Sequence, residues 1–154
     1  MTALGCDPAG TLTFVNALNA TAATAGGTGD EDAANGAGID LAGLPARFNG
    51  AAFVVRANAT LAQGKKLTVT AKIQDSANGT TWADLVAAAT VLTLVGGTGG
   101  TTEAGVGVIG GDLRTARRYV RVVVTPDLDA TATDTASVDA VCVLSGADEL
   151  PAAA

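Results

Sequence analysis

Histidine is absent from the 154-residue chain. Its absence excludes Ser-His-Asp and Cys-His nucleophile arrangements and most transition-metal sites. Glycoside hydrolysis would need only two carboxylates across a cleft. The three glutamates, Glu31, Glu103 and Glu149, are however scattered through what reads as loop or terminal sequence. We therefore predict a non-enzymatic protein with no catalytic, cofactor-binding or metal-binding residues.

Aromatic residues and cysteines are also scarce. Phe, Trp and Tyr together make up 3% of the chain, which contains 33 Ala and 16 Val, so its core must be built from small side chains. The two cysteines, Cys6 and Cys142, are too few and too far apart for a CxxC metal site. We expect a loop thiol and a small core residue, with a late disulfide between them as the alternative.

Basic residues are few and dispersed. The chain contains nine Lys and Arg residues and fifteen Asp and Glu residues, which gives a net charge of −6. Because no cluster can neutralise a run of phosphates, nucleic acid is not an expected partner. The pair Lys65-Lys66 and the trio Arg114, Arg117 and Arg118 are interpreted as solvated strand ends or as part of a protein interface.

Long apolar runs and targeting signals are not found either. The first residues, MTALGCDPAG, contain neither a basic segment nor an apolar one, and no run approaches the length of a membrane span. We expect a product of the cytoplasm that has no membrane partner.

Alternating apolar and polar residues predict strands. Residues 67–74 alternate strictly, and residues 137–144 place Cys142 on an apolar face. A further strand begins at Arg118 and is expected to end at Pro126, which lacks an amide donor. Weaker strand candidates are residues 12–15, 39–41, 53–57, 91–95 and 105–109.

Glycine, Asn and Asp mark the connections between these strands. Asn78-Gly79 favours a tight turn, since this pair readily adopts positive φ. The polar segment 19–38 is interpreted as a loop or arm. Residues 82–94 are ambiguous between a short helix and an extended segment, and we favour a turn that leads into a strand at Val91.

Two acidic segments have the composition of calcium loops. The first contains Asp30, Glu31 and Asp32, but an EF-hand counted from Asp30 fails at its fifth and twelfth positions. The second segment is residues 127–134. Both are interpreted as solvated loops.

The only tryptophan, Trp82, follows the Asn78-Gly79 turn. One interpretation is a sugar-stacking ring, although no other aromatic residue lies nearby in sequence. The favoured interpretation is a packing anchor in a core of small side chains. In that case Trp82→Ala should lower the free energy of unfolding by roughly 3–5 kcal/mol.

About eight short strands separated by turns predict an all-β fold, namely a single antiparallel β-sandwich or barrel. We expect a jelly-roll-like sandwich with extended loops and terminal arms. Residues 1–10 are expected to form an N-terminal arm, residues 11–146 the sandwich, and residues 147–154 a C-terminal tail.

Three segments together resemble the small β-sandwich decoration, or cement, proteins of tailed-bacteriophage heads. These are IQDSANGTTWADL from Ile73, RRYVRVVVTPD from Arg117 and LSGADELPA from Leu144, and the segment NGAGIDL from Asn35 resembles the jelly-roll cement type. The resemblance covers roughly residues 11–151. It implies a protein that binds the outer capsid surface and stabilises the head.

The implied partners are the major capsid protein and further copies of the chain, with a trimer as first choice and a dimer as second. The implied location is the outer surface of the virion, after synthesis in the bacterial cytoplasm. The termini and segment 19–38 are the expected capsid contacts. Two alternatives remain open, a structural protein of the phage tail and a carbohydrate-binding or receptor-recognition β-sandwich.

Overall fold

The computed structural model describes residues 11–129 and 133–147, and in these ranges the chain is almost entirely β-strand. Every strand pairing is antiparallel. The strands are β1 Thr13–Thr24, β2 Ala34–Asn35, β3 Ile39–Asp40, β4 Phe48–Leu61, β5 Lys66–Ser76, β6 Ala83–Val95, β7 Thr101–Asp112, β8 Tyr119–Leu128 and β9 Thr135–Ala147.

The strands form two sheets with the order of a jelly roll. The first sheet has the order β1-β9-β4-β7, and the second has the order β2-β8-β5-β6 with β3 also paired to β8. Consecutive strands cross repeatedly between the sheets, as in the double Greek key of viral capsid and lectin jelly rolls. The prediction of an all-β, jelly-roll-like antiparallel sandwich is therefore confirmed.

The core lies between the two sheets and is built from alternate residues of the central strands. Strand β5 contributes the four apolar residues of its predicted face, from Leu67 to Ile73, each at most 1% exposed. Strand β9 contributes Val138, Ala140, Cys142 and Leu144, all fully buried. Since most of these side chains are small, Phe53 of β4 is the largest of the fully buried ones.

Strand β8 does not end at Pro126, so that prediction is wrong. The strand continues to Leu128, and Pro126 pairs with Val69 of β5. The carbonyl of Pro126 accepts a hydrogen bond from the Glu31 amide on the opposite side of the strand. Because the N and C=O of one strand residue point the same way, the missing N–H faces the sheet edge beyond β2, where proline is tolerated.

Three further sequence interpretations need correction. Segment 19–38 is not one loop, because its first six residues complete β1 and it also contains β2. Residues 83–95 form strand β6, so the extended segment begins well before Val91. Glu103 lies within β7 rather than in a loop. Seven of the nine strands have ten or more residues, so most of them are longer than expected.

The predicted turn at Asn78-Gly79 connects β5 to β6. Gly79 has φ of 75°, while Asn78 keeps a negative φ. The Asn78 side chain instead accepts the backbone N–H groups of Thr80 and Thr81 at 3.0 and 2.9 Å. The turn therefore depends on one positive φ and on local capping by the asparagine side chain.

The predicted N-terminal arm, residues 1–10, lies outside the described residues, as does the C-terminal tail after Ala147. Strand β9 includes Ala147 as its last residue. Within the part of the chain that the structure describes, no helix has the length and hydropathy needed to cross a membrane.

We predict that Phe53→Ala lowers the free energy of unfolding by about 3–5 kcal/mol, because it opens a cavity in the sandwich core. The matched control is Phe14→Ala, since Phe14 is 60% exposed and surface changes usually stay within about 0.5 kcal/mol. Urea unfolding followed by circular dichroism measures both. Equal losses for the two variants would contradict the described packing.

Candidate interaction surface

On the outer face of the second sheet, polar side chains form hydrogen bonds with one another. Arg121 donates from Nε and Nη2 to Gln74 Oε1 at 3.0 and 2.8 Å. Gln74 in turn donates to Asp84 Oδ1 at 2.7 Å, and Lys72 donates to Asp84 Oδ2 at 3.2 Å. These side chains alternate with the buried residues of β5 and β8, so the network spans the strands on the solvent side.

Trp82 belongs to this outer face and not to the sandwich core. Its ring is half-buried and lies under the guanidinium of Arg121, whose Cζ is 4.3 Å from the ring centroid. The ring also covers Gly38, where an added Cβ would lie 3.1 Å from the indole. The interpretation of Trp82 as a core anchor is therefore wrong; it packs on the outside as a cation–π partner.

The outer face of the first sheet has a different composition. Half of it carries a continuous apolar surface, which we call the outer patch. The outer patch consists of Phe14, Ala52, Val54, Val106, Val108, Val141 and Val143. These residues are adjacent across the sheet: Val54 pairs with Val108 and Val141, and Val143 pairs with Phe14 and Ala52. Phe14, Val106 and Val108 are 57–60% exposed. Among the described residues, the large apolar side chains that are exposed are these three and Val95 of β6, so three of the four lie on this face.

The outward orientation of the two valines of β7 follows from the glycines that alternate with them. A Cβ on Gly107 would lie 2.4 Å from the Val91 carbonyl oxygen, and one on Gly105 would lie 2.8 Å from a Leu92 methyl. Only glycine fits where β7 passes this close to β6. Since successive strand residues point to opposite faces, Val106 and Val108 must face solvent.

The other half of the same face is polar. Arg56 donates from Nε to Asp139 Oδ1 at 2.7 Å at the border between the halves, and the Thr60 and Thr102 hydroxyls lie 3.2 Å apart beyond it. With strands about 4.8 Å apart and residues about 3.3 Å apart, each outward residue covers about 32 Å² of the sheet, so the seven residues of the outer patch cover roughly 220 Å². The largest apolar patch on a typical monomer covers about 300–600 Å² and is often functional, and the outer patch approaches this size.

A groove of about 470 Å³ opens at the end of the sandwich where β4 begins and β7 ends. Its floor is apolar and its rim carries arginines; we call it the arginine groove. It is lined by Leu41, Ala42, Leu44, Ala46, Arg47, Phe48, Leu113, Arg114, Ala116, Arg117 and Arg118. The predicted arginine trio is thus brought to one site.

Each arginine of the trio pairs with an aspartate. Arg118 makes a two-pronged contact with Asp40 at 3.0 and 2.8 Å, and Arg114 pairs with Asp112 at 2.6 Å. Arg117 contacts Asp75 with both its side chain, at 2.6 Å, and its backbone N–H, at 2.9 Å. The groove rim is therefore held in place by ion pairs.

Asp75 differs from the other two aspartates because it is buried, with 8% of its side chain exposed. The hydrogen bond from the Arg117 side chain, helped by the Arg117 N–H, lowers the pKa of the Asp75 carboxyl below its usual value. A carboxylate with a lowered pKa stabilises the fold at pH values above its unfolded-state pKa. That contribution is lost as the pH falls through the folded-state pKa.

The acidic cluster of residues 30–32 stabilises a loop. Asp30 accepts the N–H of Gly26 at 2.7 Å and that of Leu128 at 2.8 Å, and Asp32 accepts the N–H of Gly29 at 3.2 Å. In the second acidic segment, Asp129 accepts the Lys66 N–H at 2.7 Å. Across residues 11–129 and 133–147, no three metal-capable side chains come together.

Cys142 is a fully buried core residue, as predicted, and burial raises the pKa of its thiol to about 12. Cys6, the predicted loop thiol, lies outside the described residues. The outer patch was missed at the level of sequence. Its visible signals are the unbroken apolar runs 51–55 in β4 and 140–144 in β9, which break the alternation expected of a half-buried strand.

No protein-family model and no curated protein matches this chain. Among solved structures, it is similar to the D431N mutant VP2 protein of infectious bursal disease virus, from derived T=1 particles. That match has a TM-score of 0.51 and 12% identity, over 98% of this chain and 37% of that one.

The VP2 subviral particle of the same virus matches with a TM-score of 0.49 and 12% identity, over 98% of this chain and 39% of that one. The PBSX exported protein XepA matches with a TM-score of 0.45 and 18% identity, over 96% and 41%. This chain therefore spans about two fifths of the length of these structures. At such identities the likeness is one of fold.

We predict that Trp82→Ala lowers the free energy of unfolding by about 1–2 kcal/mol, because it removes one cation–π contact and a half-buried ring. The loss should be well below that of a fully buried aromatic residue. Thermal melts of the variant beside the wild type and Phe53→Ala provide the measurement. A loss of stability as large as that of Phe53→Ala would indicate that Trp82 contributes to the core and would contradict its position on the outer face.

We predict that Asp75→Asn lowers the free energy of unfolding by about 2 kcal/mol at pH 7, the scale of a charge-assisted hydrogen bond. The difference from the wild type should begin to shrink as the pH falls below about 4, where the unfolded wild type takes up a proton, and should be smallest below the lowered folded-state pKa of Asp75. Urea unfolding from pH 7 to pH 2 measures it. A difference that stays constant over this range would refute the pairing with Arg117.

Proposed function

We propose that the protein is a non-enzymatic structural component of a virus particle, and specifically a decoration protein that binds the outside of a tailed-phage capsid and stabilises it. The observation that carries the proposal is the outer patch. A flat sheet face with three prominently exposed apolar residues suits contact with another protein surface. The resemblance to phage cement proteins and the fold shared with VP2, solved in derived T=1 particles, support it.

The contrast between the two outer faces indicates which one binds. On the second sheet the polar side chains already bond to one another, from Arg121 through Gln74 to Asp84. On the first sheet, Val106 and Val108 expose apolar area that a partner can remove from water. We therefore propose the outer patch as a capsid contact, in addition to the termini and segment 19–38 expected from sequence.

The size of the patch suits a component of a lattice. Roughly 220 Å² is well below the ~800 Å² per partner that a standard stable interface buries. A single contact of this kind is weak, but many copies on one shell reinforce one another through multivalency. Strong retention on a capsid is then compatible with a modest individual site.

The major capsid protein is the proposed main partner, and the proposed location is the outer virion surface after synthesis in the bacterial cytoplasm. Further copies of the chain are the second partner, as a trimer in first place and a dimer in second. Nucleic acid and membranes are not proposed as partners, because the net charge of −6 repels polyanions.

We predict that Val108→Asp weakens binding to undecorated heads by about tenfold or more, since a carboxylate forced into an apolar contact costs at least about 1.4 kcal/mol. The matched control is Thr93→Asp, which adds the same charge on the outer face of the other sheet at an exposed residue of β6. Co-sedimentation with heads measures the bound fraction. Sedimentation of the free proteins shows whether either change alters the subunit count.

The durability of heads under heating or low ionic strength tests the stabilising role. Heads carrying wild type or Thr93→Asp should survive longer than bare heads, and heads mixed with Val108→Asp should resemble bare ones. Equal binding by both variants would show that the outer patch is not part of the contact with the head. Equal durability of bare and decorated heads, or a position on the tail, would refute the decoration role in favour of the tail alternative.

A further inference from the structure

Strand β7 is a free edge of the first sheet. It pairs with β4 without a register shift from Thr101 to Asp112, and among the described residues β4 is its only pairing partner. Between Glu103 and Asp112 the strand contains neither a charged residue nor a proline. A long, regular and uncharged edge strand is a template for pairing with another chain.

The other edges of the two sheets carry features that hinder such pairing. Strand β1 has two register shifts against β9, and β6 has three against β5. On the remaining edge, β2 and β3 contain two residues each. Interrupted strands and very short strands are devices by which proteins block edge-to-edge association. Among the edges that the structure describes, β7 is therefore the one most open to a partner.

The close contact between β7 and β6 does not use this edge. It is made at Gly105 and Gly107, whose Cβ positions point towards β6 on the inner side of the sheet. Backbone N–H and C=O groups lie in the plane of the sheet, whereas side chains stand out of it. The contact with β6 is thus compatible with a further strand beside β7.

We propose that β7 pairs with β7 of a second copy of this chain, in antiparallel orientation about a twofold axis at Gly107. The contact is isologous, since the same strand supplies both sides. Residues 102–112 of the two copies face one another, and a ladder of this length contains about ten backbone hydrogen bonds. The two four-stranded sheets become one continuous sheet.

The two outward valines of β7 select this register. With the axis at Gly107, Val106 lies opposite Val108 of the second copy, and Val108 lies opposite its Val106. Cross-strand pairs of β-branched side chains stabilise a sheet. An axis at either neighbouring residue would instead leave one valine of each copy opposite Ala104 or Gly110.

The charges at the ends of β7 do not oppose this register. Glu103 lies opposite Gly111 of the second copy, and Asp112 lies opposite its Thr102. No two carboxylates therefore face each other across the new pair, where like charges would destabilise it.

Continuity with the outer patch favours a second copy over an extended segment of another protein. The twofold axis is perpendicular to the sheet, so the outer patches of both copies face the same way and meet at the valines of β7. Two patches of roughly 220 Å² give one apolar surface of roughly 440 Å², which lies within the range of functional patches. The pairing favours the dimer over the trimer and does not depend on the capsid.

Paired charges on the outward side of β7 test the proposal in the full-length chain. Ala104→Lys with Gly110→Lys places like charges opposite each other, whereas the control, Ala104→Lys with Gly110→Glu, places opposite charges there. Both positions are exposed and lie outside the outer patch. A Cβ on Gly110 meets the Ala51 carbonyl oxygen at 3.7 Å, an ordinary contact, so a side chain fits.

We expect the wild type to sediment as a dimer at about 10 μM. The like-charge variant should raise the dissociation constant of the dimer by about tenfold or more, and the opposite-charge variant should stay within about threefold of the wild type. Equal dissociation constants for the two variants, a trimeric wild type, or a wild type that stays monomeric up to about 100 μM would overturn the proposal.

Cysteine cross-linking tests the register. In a Cys6→Ser background, Ala104→Cys with Gly110→Cys should form disulfide-linked dimers under mild oxidation. The control is Ala104→Cys with Thr102→Cys on the same face, because these two positions lie about 26 Å apart between the copies in this register. Cys142 can stay, since it is fully buried.

A non-reducing gel should show dimers for the first cysteine pair and monomers for the control. Linking of the control pair, or a first pair that stays monomeric, would overturn the axis at Gly107. Because neither experiment needs a head, failure of the pairing would leave the capsid-binding proposal unaffected, and the reverse also holds.

Discussion

The close approach of β6 and β7 is the constraint on which the surface of this protein depends. The two strands belong to different sheets, and at positions 105 and 107 β7 contributes only glycines. These pack against the Val91 backbone and the Leu92 and Leu94 side chains of β6. At Gly107 the space for a Cβ is already taken by the backbone of Val91, 2.4 Å away. Any larger residue at this position would force the sheets apart. A chain with so few large apolar side chains can close its sandwich in this way.

The same constraint determines which side chains remain outside. Because the inner positions of β7 at 105 and 107 are glycines, the two valines of this stretch cannot contribute to the core. They extend the surface that Val54 and Val141 begin on the neighbouring strands. On the second sheet, Arg121, Gln74, Asp84 and Lys72 of the outer face bond to one another, and Val95 is its one exposed large apolar side chain among the described residues. The outer face of the first sheet can therefore be desolvated by a partner at little cost in free energy, whereas desolvating the outer face of the second sheet would disrupt hydrogen bonds.

Sequence alternation predicted β5 correctly because its apolar residues face the core and its polar residues face water. In β9 it identified the buried face that contains Val138 and Cys142, although the opposite face carries the apolar residues Val141 and Val143 as well. In β7 the same reasoning fails, since alternation tells which residues share a face but not which face is buried. The residues 105–109 read as a strand, yet its valines point outwards because backbone proximity overrides hydrophobicity. Trp82 was misplaced for a related reason: its contacts with Gly38 and Arg121 come from distant parts of the chain, and local sequence contains no sign of them.

Pro126 and the first acidic segment show the same dependence on distant contacts. The proline is tolerated because its position lacking an N–H faces the sheet edge beyond β2. There the loop that contains Glu31 donates a backbone N–H to the proline carbonyl. Asp30 in that loop accepts the N–H of Leu128, two residues further along β8. Two features that were interpreted separately, a strand terminator at Pro126 and a solvated acidic loop at residues 30–32, thus together complete the edge of the second sheet.

The outer patch and the arginine groove lie towards the same end of the sandwich. Ala52 of the patch is four residues from Phe48 of the groove along β4, and Val143 is four residues from Ala147 along β9. The threonine-rich half of the face, around Thr60 and Thr102, lies towards the opposite end. A protein bound through the patch would therefore lay this sheet face on its partner, with the arginine groove nearer to the contact than the threonine-rich half.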